Sequence, residues 1–354
     1  NSGCRLMVSK ARKAAAQASS NIAGRKNLLY NGSMATTQRA TSSSGLGTTS
    51  GYYVQDRWRI QLGGSNTVRF TMSLEGASES PDGFQASMKL DCTTADTMPG
   101  DSTSDYVIIE QKLEGLDLQP LKKGTSDAEP LTASFWIKSP KTGVHTVSLY
   151  DTTNTRSIST TYTIASADTW EFHTVTFAGD TTGTIPNDNT EGLTLWFWLM
   201  ASTDYTSGTF NTSWASHVAA NACNSSQVNV FDSTDNNFYI TGCQLEIGNS
   251  PTSFELETLQ ESLFRCQRYH YRINNITGYL YALNEANNYR RITFTHPPMR
   301  TNAPTGAISN TISSAASQGF QYAQEKTSTV YGNPSGANTL TLFSSSTVTL
   351  TDEL

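Results

Sequence analysis

The chain has 354 residues, 36% of them hydrophobic and only 15% charged, with a net charge of -6. That length has room for two domains with cores of their own, and the shortfall in apolar and charged residues is made up by Thr, Ser, Asn and Gly, which suits strands with polar outer faces and many turns. The acidity is uneven: residues 1–26 carry Arg5, Lys10, Arg12, Lys13, Arg25 and Lys26 and no acid, leaving about -12 on the remainder, so the body is a poor partner for nucleic acid or anionic lipid.

The basic leader has no apolar h-region, because Ala14 to Ala23 is interrupted by Gln17, Ser19, Ser20 and Asn21. It is not a signal peptide, and no stretch of the chain is long enough to span a membrane. Met7 reads like an initiator, so Asn1 to Leu6 implies an upstream start or a trimmed precursor. Met7, Ala11, Ala14 and Ala18 recur at helical spacing, which predicts a helical leader with one narrow small-residue stripe. Such a helix needs a partner surface or copies of itself to stay ordered.

After Gly24 the pattern changes to period two. In Thr132 to Lys138, Ala133, Phe135 and Ile137 alternate with Ser134, Trp136 and Lys138, and after Pro140 the run His145 to Tyr150 alternates again, which predicts a hairpin. Glu171 to Phe177, Leu193 to Met200 and Asn237 to Ile247 are further strands, separated by Gly, Asp, Asn and Thr clusters. Many short strands between turns predict a jelly roll or β-sandwich over residues 27–250. A connecting helix follows within 251–268, where Leu256, Leu259, Leu263 and Cys266 share a face and acids precede bases along the axis. Residues 269–354 are a second, smaller β-sandwich domain, with strands at Tyr269 to Ile273, Tyr279 to Leu283, Tyr289 to Thr295, Thr339 to Phe343 and Thr347 to Thr351, and an exposed loop at Ser309 to Gly319. The class is all-β.

The five cysteines, Cys4, Cys92, Cys223, Cys243 and Cys266, contain no CxxC pair, so zinc is disfavoured. Buried free thiols and a Cys223–Cys243 bridge are the open alternatives.

Several segments together resemble bacteriophage tail-fibre and related virion proteins that carry a carbohydrate-binding-like jelly roll. They are Lys26-Asn27-Leu28-Leu29-Tyr30-Asn31-Gly32, Gln38-Arg39, Asp56-Arg57-Trp58, Ser134 to Ser139, Thr169-Trp170-Glu171, Ile240 to Gly248, Pro251 to Glu255 and Cys266 to Tyr269, with a continuation around Pro298-Met299-Arg300. The resemblance implies a structural virion component located on the particle, a homo-oligomer with a trimer favoured, and a host-surface glycan as partner. It implies no cofactor beyond a structural calcium, for which Glu246 and the Asp91 to Asp105 region are candidates and solvated turn carboxylates the alternative.

No HExxH, GxSxG or Walker pattern occurs, and His145, His173, His217, His270 and His296 are scattered, so no catalytic residue is assigned and the chain is read as non-enzymatic. Aromatic residues are the better lead. Trp196, Trp198 and Met200 fall on the face of their strand opposite Leu193, Leu195, Phe197 and Leu199, and Trp136 points away from Phe135 and Ile137. Trp136, Trp196 and Trp198 are therefore the candidate sugar-stacking residues, since a flat apolar ring covers the CH face of a pyranose. The alternative is a strand buried on both faces by a helix, a loop or a neighbouring subunit. Trp58, Trp170 and Trp214 are read as core or interface. Lys10, Arg12, Lys13, Arg25 and Lys26 are the candidate attachment residues toward other virion proteins. Capsid decoration or connection without sugar binding is the second function considered, and polysaccharide depolymerisation the third.

Overall fold

Strands are the main regular element of the residues that the computed structural model describes, namely 25–98, 104–281, 290–301, 304–309, 315–324, 327–334 and 340–354. The first thirteen strands are β1 (Ser42–Leu46), β2 (Gly51–Tyr52), β3 (Arg59–Gly63), β4 (Arg69–Gly76), β5 (Ala86–Thr94), β6 (Tyr106–Glu114), β7 (Leu131–Lys138), β8 (Gly143–Asp151), β9 (Arg156–Ile164), β10 (Glu171–Phe177), β11 (Glu191–Ala201), β12 (Ala215–Ser216) and β13 (Asn237–Ile247). They form a six-stranded sheet, β1-β4-β5-β13-β7-β10, and a seven-stranded sheet, β12-β9-β8-β11-β6-β3-β2. The protein is thus an all-β sandwich. One core lies between the sheets: Phe135 of β7 meets Phe197 of β11 edge to face at 5.0 Å and Tyr162 of β9 at 5.1 Å.

The expected hairpin between residues 132 and 150 does not form. β7 pairs with β10 and β13 in one sheet, whereas β8 pairs with β9 and β11 in the other. Both strands carry one apolar face, and an arch between layers lets both bury it in the same interior. Ser139 holds the arch, donating to Asn237 O at 2.6 Å and accepting from Lys141 N at 3.1 Å, while Pro140 has no N–H to extend a ladder. A second departure is in β11, where a register shift between Trp198 and Met200 turns Leu199 and Met200 both toward the core.

After α1 (Thr203–Thr206), within the loop following β11, the next α-helix is α2 (Leu259–Cys266), closed by a capping box between Thr258 and Glu261. It is shorter than the sequence pattern suggests and buries Ser262 and Cys266, while Leu256 is 73% and Leu259 61% exposed. The side facing the sandwich meets a polar segment: Ser262 Oγ and Thr36 Oγ1 are 2.8 Å apart, and Arg265 donates to Leu29 O.

Beyond α2 lie β14 (His270–Tyr281), β15 (Arg290–Thr295), β16 (Thr305–Ser309), β17 (Ala315–Gln324), β18 (Thr327–Pro334) and β19 (Leu340–Thr351), in two three-stranded antiparallel sheets, β14-β19-β16 and β15-β18-β17. The strand pairs expected at 269–283 and 339–351 are single strands that pair with each other through register shifts. The loop expected at Ser309 to Gly319 is strand at both ends, and its residues 310–314 lie outside the described residues.

His145 is fully buried in the sandwich, stacked on Tyr162 at 5.2 Å, and burial pushes its imidazole down to about 4. The unfolded chain binds this proton near pH 6.5, so stability from the neutral ring is complete above that pH and is lost as pH falls toward 4, by about 3 kcal/mol at most. His145→Phe should reduce the fall in urea-unfolding free energy between pH 6.5 and 4, leaving the parts due to His173, His217 and His270, whose imidazoles burial also depresses. An unchanged profile would show that His145 is not buried neutral.

Candidate functional site

Because alternate side chains of a strand point to opposite faces, the outer face of the six-stranded sheet can be read in rows across its strands. One row runs Phe172 on β10, Trp136 on β7 and Thr241 on β13; the next toward the other end pairs Thr174 with Ser134, then Thr176 with Thr132. Phe172 and Trp136 form a cross-strand pair with ring centroids 5.3 Å apart, and Phe172 is 49% exposed. Trp136 is half-buried and Thr174 and Thr176 are exposed, so hydroxyls border the rings.

Gly242 lies beside Trp136 in a bulge of β13, with φ +62. A Cβ there would stand 2.7 Å from Phe84 Cζ and 3.0 Å from Trp136 Cδ1, so both rings close over the bare backbone. Phe84 in turn packs edge-on against Phe254 at 5.1 Å. In the row on the other side of Trp136, Lys138 Nζ sits 4.2 Å from the Tyr239 ring and 5.5 Å from the Trp170 ring, and Lys89 Nζ 5.6 Å from Tyr239. Each lysine is also paired with an acid, Lys138 with Glu79 and Lys89 with Asp91, both at 3.1 Å.

The three tryptophans named from sequence do not come together. Trp136 is on this open face, but Trp196 and Trp198 are on the outer face of the opposite sheet, where residues 203–223 cover them. They are 9% and 2% exposed. Their indole N–H groups donate to Glu110 Oε2 at 2.9 Å and Ser148 Oγ at 3.0 Å, Tyr150 stacks on Trp196 at 4.7 Å, and Tyr205 packs on Trp198 at 5.6 Å. An exposed platform on that strand is therefore replaced by burial on both faces, the local cause being Tyr205, Ala222 and Cys223 of the covering segment. Phe172, Phe84 and Phe254 were missed. Phe172 was legible, since it alternates with His173, Val175 and Phe177 in one strand; Phe84 and Phe254 come from loops and carry no periodic signal.

Of the basic leader, Lys10, Arg12 and Lys13 lie outside the described residues. Arg25 and Lys26 are engaged within the chain: Arg25 donates to Asn27 O and Leu29 O at 2.7 and 3.0 Å, and the Lys26 ammonium donates to Thr252 Oγ1 and Ser253 O, each at 2.8 Å. Glu246 accepts from Thr252 N and Oγ1 and from Gln244, and Asp96 accepts from Thr67 and Met98. Among the described residues no three His, Cys, Asp or Glu side chains gather as a metal site. Cys92, Cys223, Cys243 and Cys266 are free and buried, with Cys223 outside the seven-stranded sheet and Cys243 in the core between sheets, so the Cys223–Cys243 bridge is not made.

No protein-family model matches this sequence, and comparison with curated proteins gives no match. Among solved structures, the enzymatically active domain of bacteriophage CBA120 tailspike protein 4 superposes with a TM-score of 0.33 at 12% identity, over 62% of this chain and 21% of that one. This chain thus spans about a fifth of that domain's length. TmCBM61, solved with β-1,4-galactotriose, superposes at 0.32 and 10% identity over 63% of this chain and 99% of that one. The family 11 carbohydrate-binding module of Clostridium thermocellum Lic26A-Cel5E gives 0.27 and 9% over 56% and 91%. The sandwich architecture rests on the strand order of this chain and not on these overlays.

Trp198→Ala should lower the unfolding free energy by about 3–5 kcal/mol, as for other buried large-to-small changes. A urea midpoint equal to that of the parent protein would return Trp198 to the surface.

Proposed function

We propose that this chain is a non-enzymatic surface component of a bacteriophage particle that binds host glycans on the outer face of its six-stranded sheet. The observation that carries the binding reading is the open Trp136–Phe172 pair bordered by threonine hydroxyls. Flat rings stack on pyranose CH faces while nearby hydroxyls exchange hydrogen bonds with the sugar. The virion reading rests on the ordered sequence resemblance across residues 26–272. Non-catalytic binding is favoured because Glu79 and Asp91, beside the lysine row of this face, are each paired with a lysine, whereas glycosidases hold two carboxyl groups across the scissile bond.

A second reading, decoration or connection through protein contacts, is favoured by one observation: Leu256, Leu259 and Phe264 are all exposed within nine residues of one another around α2. In either case residues 1–24 are proposed as the attachment segment and a trimer as the assembled form.

Trp136→Ala and Phe172→Ala should each weaken binding on a host-glycan array by about 1–2 kcal/mol, a factor of about 5 to 30, with an unchanged unfolding midpoint for Phe172→Ala. A blank array for the parent protein would favour the protein-contact reading. Truncation before Arg25 spares the contacts of Arg25 and Lys26 with the body, and should yield a folded protein of unchanged oligomeric state that fails to join particles. Normal incorporation of the truncated chain would place attachment in the β domains.

A further inference from the structure

The aromatic surface extends beyond its central pair. Phe172 stands on β10, Trp136 on the adjacent β7, and across Gly242 of the adjacent β13 stand Phe84 and Phe254. The path therefore runs across the strands and not along one of them. Two strand spacings of about 4.8 Å separate Phe172 from Gly242, and the Phe84–Phe254 pair lengthens the path further. A single pyranose covers one ring of such a path; a chain of them covers it all. β10 is the outermost strand of its sheet, so the path is open at the Phe172 end. Charge points the same way. The lysines in the neighbouring row, Lys138 and Lys89, lie against the Tyr239 ring and are matched by Glu79 and Asp91, so that row offers no unpaired ammonium to an anionic sugar.

We infer that the ligand of this face is an extended, uncharged glycan chain lying across the strands, with at least three consecutive sugar rings over Phe172, Trp136 and the Phe84–Phe254 pair, and that Gly242 lets Trp136 and Phe84 close up into one row. This rests on the carbohydrate-binding reading of the same face. An unbranched β1→4-linked chain presents successive flat CH faces along its length and fits a row of rings of this kind. At Gly242 any side chain would displace Phe84 or Trp136 and would also sit in the left-handed region, so the residue serves both the bulge and the continuity of the row.

The test is calorimetric titration of the full chain with neutral β1→4-linked oligosaccharides of gluco, manno, galacto and xylo configuration, from one to six units, and with β1→4-linked uronate oligosaccharides of the same lengths. For a configuration that binds, affinity should rise about tenfold or more from the disaccharide to the tetrasaccharide and then level off, with the uronates weaker. Phe254→Ala, at a half-buried loop position, should reduce tetrasaccharide affinity to about that of the disaccharide on the parent protein. Gly242→Ala should weaken the tetrasaccharide likewise. Equal affinity for disaccharide and hexasaccharide, preference for uronates, or an unaltered length dependence in Phe254→Ala would overturn the inference while sugar binding itself stands. Failure of every sugar here, together with a blank host-glycan array, would overturn both.

Discussion

A guanidinium sealed from water governs how this chain is assembled. Arg57 is fully buried, pairs with Glu353 near the C-terminal end, donates to Lys112 O at 2.6 Å and lies 3.5 Å from the centre of the Tyr269 ring. A charge in that position is tolerable only while its partners stay in place, and removing one partner of such a pair typically costs about 3–5 kcal/mol. The sandwich, the residues after α2 and the chain end are therefore bound to one another by a shared need. Around Arg57 the same three parts meet again: Arg268 makes two bonds of 2.9 Å to Glu114, Tyr269 donates to Glu114, and Arg39 bridges Asp56 and Glu353. Burial pushes the Asp56 carboxyl up to about 6, against the pull of Arg39 and Gln38.

Further hydrogen bonds join several segments that are far apart in the sequence. Asn27 accepts from Leu29 N and Leu245 N and donates to Cys243 O; Glu255 accepts from Lys26 N and Asn27 N and donates its own N–H to Gln244. Asn31 bonds Thr36 N and the carbonyls of Thr36 and Asp56, and Trp58 donates to Asn31 O. Lys26 to Gly32, Asp56 to Trp58, Ile240 to Gly248 and Pro251 to Glu255 thus recognise one another. Together they close the sandwich along the 25–36 segment. The aromatic face draws on two of those segments, at Gly242 and Phe254, and on β7 at Trp136.

The two layers handle their outer faces differently, and that difference places the site. The seven-stranded sheet is roofed by residues 203–223, which bury Ile108, Trp196 and Trp198 in a second apolar cluster. The six-stranded sheet keeps Phe172 exposed and Trp136 half-buried. Stability is drawn from the first arrangement, since two indoles leave water with their N–H groups bonded. The second leaves aromatic rings within reach of solvent.

The all-β class, the inward and outward side chains of β7, the existence of a strand at β13 and of a helix near residue 260 were legible in the sequence, because period-two and period-3.6 alternation are properties of neighbouring residues and backbone geometry alone. Sheet membership was not legible, because strand pairing joins residues far apart in the chain: β7 and β8 look like a hairpin locally, yet burial against a common interior sends them to opposite layers. The apolar stripe expected for α2 failed for the same reason, since its docking side is chosen by the polar segment at Thr36 and Leu29 and not by its own periodicity. Trp136 and Trp198 carry the same local signal, an indole opposite the core-facing residues of a strand. What covers that indole is decided by another part of the chain, and only the tertiary structure could separate the ring left on an open face from the ring that is buried.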